Sequence, residues 1–212
     1  MSFRTAGVFK VASSDVAQPL FGSWVTAVSP ATGFAQPSGA PLVLTLGTAQ
    51  NSGNDASQIF TKGEEAWLVD PSNSNAGGLH GESVRIASIS GNTVTLGPKT
   101  TTVSTGQSYP FTEQPHVAGA LGTGSYLIPK QLANSFTVQY ESGTGPYLYI
   151  GNRQLMTGAL YRIYELAAVA ANAQPNFYTA PVNSPGNSYD ISELYVYGFT
   201  AGDLYTVSLN ID

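Results

Sequence analysis

Apolar and polar residues alternate strictly from Phe136 to Glu141. Phe136, Val138 and Tyr140 stand against Thr137, Gln139 and Glu141. The pattern returns at the end of the chain, with Tyr205, Val207, Leu209 and Ile211 against Thr206, Ser208 and Asn210. A period of two puts one set of side chains on each face of a strand, so both segments predict strands with one buried and one solvated face. Tyr147-Leu148-Tyr149-Ile150 and Glu193-Leu194-Tyr195-Val196-Tyr197 are apolar at both parities and predict strands covered on both faces. Gly202-Asp203 joins the last two strands as a turn. Together these four strands predict a small antiparallel β-sandwich.

Earlier in the chain, Glu82 to Leu96 predicts a hairpin. Gly91-Asn92 separates two β-rich runs and supplies the positive φ angles of a tight turn. Val84 and Ile86 share one face, whereas Ile89 has the opposite parity. A bulge at Ala87 or Ser88 reconciles them. Ala66-Trp67-Leu68-Val69 reads as a buried strand ending at Asp70-Pro71, and Leu42–Leu46 reads as another with its leucines on one face. Residues 47–58 and 70–81 read as long polar loops. Helical periodicity is confined to Tyr164–Ala171, which fits two turns of helix before Asn172 and Pro175, or the apolar end of a strand followed by a loop. Met1 to Pro41 carries weak strand signals and reads either as an extended arm ordered by a neighbouring subunit or as an edge segment of the first domain.

Composition adds a boundary. Both tryptophans, Trp24 and Trp67, precede residue 133, while ten of the twelve tyrosines lie from Tyr140 onward. We therefore expect an all-β protein of two parts: an N-terminal β-barrel-like domain over residues 1–133 and a C-terminal tyrosine-rich β-sandwich over residues 134–212. The 23 glycines and 13 prolines, spread evenly, suit many short strands joined by turns.

Charge narrows the partners. Only 10% of the residues are charged, far below the usual proportion of about a quarter. A neutral polar surface has little charge repulsion to keep it from associating. The net charge is −5, and the eight Lys and Arg residues are scattered singly. No basic stripe is available for phosphates, which argues against nucleic acid, and no polybasic segment for anionic lipid. No apolar run approaches a membrane helix. Met1 to Lys10 lacks the apolar stretch of a signal peptide, so we expect a chain made in a cytoplasm that stays there or joins an assembly there.

Candidate chemistry is sparse. Cysteine is absent, which excludes disulfides, thiolate metal sites and a cysteine nucleophile. His80 and His116 have no partner at ligand spacing. Glu64-Glu65 is the one adjacent carboxylate pair, and neighbouring strand residues point to opposite faces. A distant pair such as Glu82 with Glu113 would serve a glycosidase only if both faced one cleft. Asp70–Asn75 departs from a calcium loop, with Asn75 where Gly is needed and Gly81 where Glu is needed. Pro98 spoils Gly97-Pro98-Lys99-Thr100 as a phosphate loop, and no Gly-x-Ser-x-Gly elbow occurs. We expect no catalysis, no cofactor and no metal. The remaining feature is the set of strand tyrosines, Tyr147, Tyr149, Tyr195, Tyr197 and Tyr205. Tyrosine combines large contact area with a polar tip, so these five are candidates for a protein interface, with sandwich core and a sugar platform as the other readings.

Several segments resemble small β-sandwich domains of tailed-bacteriophage virion proteins. They are Tyr149-Ile150-Gly151-Asn152, the run Tyr189 to Gly198, Thr200-Ala201-Gly202-Asp203 and Tyr205 to Leu209. Such domains often end in a strand, a Gly-x-x-Ala-Gly-Asp turn and a last strand. The hairpin Val84 to Leu96 is similar to barrel hairpins of the same proteins. The likeness spans the last third of the chain and one hairpin, and encodes β geometry rather than a site. It implies a virion structural role, most like a capsid decoration or cement protein on the outer capsid surface. Its partners would be the major capsid protein and copies of itself, often as a trimer. A tail fibre or spike component that binds host glycan is the alternative.

Overall fold

The computed structural model describes residues 2–29, 42–47, 56–69, 82–97, 125–157, 162–167, 176–182 and 187–211. The chain is all-β and divides into two units. Two strands open it, β1 (Ser2–Lys10) and β2 (Val16–Pro19). Six follow: β3 (Ser23–Ser29), β4 (Leu42–Leu46), β5 (Glu65–Val69), β6 (Glu82–Ser90), β7 (Thr93–Gly97) and β8 (Tyr126–Pro129). The remainder are β9 (Leu132–Ala133), β10 (Ser135–Ser142), β11 (Tyr147–Asn152), β12 (Arg162–Ala167), β13 (Asn176–Thr179), β14 (Tyr189–Asp190), β15 (Leu194–Gly198) and β16 (Leu204–Ile211). No helix among the described residues is long and apolar enough to cross a membrane.

β3 to β8 close into a barrel in the order β3-β4-β7-β6-β5-β8. Closure pairs every strand on both sides and removes the exposed edges that invite aggregation. Alternation fills the interior: Leu44, Leu46, Val84, Ile86, Val94 and Leu96 are all buried. The β6–β7 hairpin turns at Gly91-Asn92, with Gly91 at φ +55°. Its register slips between Ile86 and Ser88, so the parity break between Ile86 and Ile89 is a bulge at Ala87. Among the described residues, nothing beyond its chain neighbours lies within 4 Å of a Cβ built on Gly91. Gly91→Ala therefore tests backbone conformation alone. It should cost about 1 kcal/mol, the penalty of a left-handed L-residue, and Gly91→Asn less. Urea midpoints of the two variants check this.

The other unit contains both ends of the chain. One sheet runs β1-β16-β10-β13 and the other β12-β11-β15-β2. The buried parity of the first supplies Phe136, Val138, Tyr140, Tyr205, Val207 and Leu209. The second contributes Leu148, Ile150, Leu166 and Val196. Gln18 is buried in this unit with its amide fully used. Its Oε1 accepts from the Ala12 N–H at 2.8 Å, and its Nε2 donates to the Lys10 carbonyl and the Tyr205 hydroxyl, both at 3.0 Å. A satisfied buried amide costs little and ties β1 to β2.

The division between the units falls between Lys130 and Gln131, but residues 1–21 join the sandwich, not the barrel expected over residues 1–133. β1 pairs along its length with β16, and β2 pairs with β15. The N-terminal stretch is thus no free arm through Pro19. Its strand signal is weak because the β1 register shifts between Thr5 and Gly7, which breaks the alternation. Tyr164–Ala167 is the end of β12, so the strand reading of that Ala-rich run is the one realised there.

Candidate tyrosine face of the sandwich

Register builds this site. Tyr149 lies directly opposite Tyr197 on the neighbouring strand, and Leu148 lies opposite Gly198. Tyr147, two residues before Tyr149, shares its face, and Phe199 follows β15 at the matching step. The rings associate accordingly. Tyr147 and Tyr149 stack with centroids 6.1 Å apart and planes 18° apart. Tyr149 and Tyr197 stack at 6.1 Å and 20°. Phe199 meets Tyr149 and Tyr197 edge-on, at 5.1 Å and 5.3 Å.

Polar groups frame the aromatics. The Arg162 guanidinium lies 4.6 Å from the Tyr149 ring centre, and its Nε is 3.2 Å from Glu165 Oε2. The Tyr197 hydroxyl donates to Asp15 Oδ1 at 3.3 Å. Burial, then the charge and hydrogen bond of Asp15, then Tyr149, push that hydroxyl above its ordinary range. It remains a proton donor at neutral pH, as a contact residue with a polar tip requires. Tyr149 is 8% exposed and Tyr147 37%. The central ring is therefore enclosed by neighbours, while the outer ones reach solvent.

The opposite sheet differs in kind. Its outward parity carries Thr137, Gln139, Glu141, Thr206 and Ser208. Thr137 and Thr179 hydroxyls meet at 3.0 Å, and Thr206 donates to Glu141 Oε1 at 2.6 Å. One outer face of the sandwich is mostly polar and self-paired, with Phe177, 62% exposed and opposite Gln139, at its β13 edge, and the other carries the packed aromatic cluster.

Of the five candidate tyrosines, three come together on this face: Tyr147, Tyr149 and Tyr197. The other two are corrections. Tyr195 and Tyr205 are wholly buried within their unit and have no surface to offer a partner. Tyr205 stacks on Phe9 at 5.5 Å and receives the Gln18 hydrogen bond. Tyr195 has the parity of Tyr197, but the short 3-10 turn Arg153–Thr157 lies against β2, β11 and β15. Phe199, Arg162, Glu165 and Asp15 were not among the candidates. Phe199 was legible, since it continues the parity of Tyr197; the other three depend on pairings invisible in sequence.

His80, His116, Glu113 and the loop Asp70–Asn75 lie outside the described residues. Glu64 accepts from the Thr61 N–H at 2.6 Å, whereas Glu65 pairs with Lys130 at 2.7 Å. The two carboxylates thus serve separate partners. Among the described residues, no group of three or more His, Asp or Glu side chains could hold a metal ion. No family model, curated protein or solved structure matches the chain.

Proposed function

We propose that this chain is a non-catalytic virion structural protein, a capsid decoration or cement protein, which docks on the outer capsid surface through the tyrosine face of β12-β11-β15-β2. The observation that carries the reading is the packed cluster of Tyr147, Tyr149, Tyr197 and Phe199 on one outer face of the sandwich, where the other face offers mostly self-paired hydroxyls and amides and a single Phe177 among its described outward residues. Aromatics already held by their neighbours lose little freedom on binding, which favours a protein contact. A chain with only 10% charged residues meets little repulsion when many copies crowd a shell. Enclosure of the Tyr149 ring by Arg162 and its aromatic neighbours disfavours the glycan alternative, because stacking on a sugar needs an open ring face.

Quantitative mass spectrometry of purified particles tests the role. Hundreds of copies, in fixed ratio to the shell subunit, are expected. A handful per particle would place the chain in the tail and end the cement reading.

A further inference from the structure

The two edges of the β12-β11-β15-β2 sheet are unlike. β2 has four residues and includes Pro19, which has no N–H to offer. Short edge strands with proline resist pairing with another chain. β12 has six residues, Arg-Ile-Tyr-Glu-Leu-Ala, and no proline. Among the described residues no strand pairs with its outer side. Arg162, Ile163, Tyr164 and Glu165 are all exposed, Ile163 by 65% and Tyr164 by 40%.

We propose that β12 pairs antiparallel with β12 of a second copy of this chain about a twofold axis. The sequence of the exposed segment selects the partner. With Ile163 bulged out of the ladder and the axis at Tyr164, Arg162 lies opposite Glu165 of the second copy, and Glu165 opposite its Arg162. Tyr164, whose ring packs on Tyr178 at 4.3 Å, meets its own counterpart between them. A self-complementary patch of this kind is what an isologous contact requires.

The bulge in β12 makes the charges match. Tyr164 pairs with Ile150, and Arg162 pairs with Gly151, so Ile163 is an extra residue. It returns Arg162 to the parity of Glu165, and both side chains reach the tyrosine face, where they already meet at 3.2 Å. Opposite charges directly across an antiparallel pair are favourable, and like charges unfavourable. Pairing of this kind joins two four-stranded sheets into one of eight strands and sets two tyrosine faces side by side. The inference does not rest on the capsid reading, and its test uses the isolated chain.

Light scattering after size exclusion, at high micromolar concentration, should give twice the 22.2 kDa chain mass. Arg162→Glu places Glu against Glu165 of the second copy at both symmetric positions. It should weaken the dimer by roughly tenfold or more, and Glu165→Arg should do the same. An equimolar mixture of the two single variants sets opposite charges across the axis but like charges within each chain, so it should restore the dimer, which separates lost pairing between chains from the loss of the ion pair within one. A monomer, a trimer, or a dimer indifferent to Arg162→Glu would overturn the proposal.

Discussion

Replacing Asp203 with alanine should destabilise the sandwich unit by about 4 kcal/mol, a large share of the roughly 5–15 kcal/mol that holds a domain together. Asp203 is 3% exposed. Its Oδ1 accepts from the Thr144 N–H at 2.9 Å. Its Oδ2 accepts from the Gly145 N–H at 3.2 Å and the Tyr140 hydroxyl at 2.7 Å. One carboxylate thus fixes the loop between β10 and β11. Hydrogen bonds to a charged group contribute about 1.5–3 kcal/mol each, and truncation leaves buried donors without an acceptor. Asp203→Asn keeps the shape and one acceptor oxygen but turns an NH2 toward a donor, so it should lose about half as much. Urea unfolding measures both.

Alkali gives a second reading of the same contact. Burial first, then the hydrogen bond and charge of Asp203, push the Tyr140 hydroxyl above its ordinary value of 10.0. The unfolded chain then releases this proton at lower pH than the folded one. The contribution is intact below pH 10 and is lost as pH climbs above it. Asp203→Ala should bring the Tyr140 titration back toward the ordinary range and flatten that loss.

The Gly-x-x-Ala-Gly-Asp segment, Gly198 to Asp203, acquires a physical meaning here. A Cβ on Gly198 would lie 2.6 Å from Val11 Cγ2, and Gly202 sits at φ +97°. A Cβ on Gly145 would lie 2.5 Å from Asp203 Oδ2. Close packing, a left-handed turn and a loop anchor account for these residues, without a ligand.

Much of this was legible in the sequence, because strands with one wet face write their pairing into their parity. β4, β10 and β16 follow the alternation, and the bulge in β6 was readable from Ile86 and Ile89 alone. What failed was anything set by distant partners. β1 reads weakly because its bulge breaks the alternation, and its partner β16 lies more than 190 positions away by the register Ser2 to Ile211. No local pattern announces a pairing of that span. Tyr205 stands on the apolar parity of β16, which the alternation already marks as the buried face, whereas Tyr195 was misassigned for a related reason. A strand apolar on both faces shows that both are covered, but not whether the cover is the chain itself or a partner. In this sandwich the chain covers Tyr195 itself, and leaves Tyr147 and Tyr197 nearer to solvent.

Those two residues carry the central claim. Both lie at the margins of the aromatic cluster, so shortening them should trim its rim while Tyr149 and the buried tyrosines remain. Tyrosines at the centre of an interface commonly cost about 2 kcal/mol or more when truncated. The double variant Tyr147→Ala with Tyr197→Ala should therefore lose about 100-fold or more in shell affinity, with little change in folding. Thr179→Ala and Ser208→Ala, on the polar face, should bind as the unaltered chain does. The decisive measurement is co-sedimentation of these variants with capsid shells stripped of the native chain. The account predicts that the tyrosine double variant stays in the supernatant while the polar-face variants pellet with the shells. Full binding by the tyrosine double variant, or loss of binding by the polar-face variants, would contradict it.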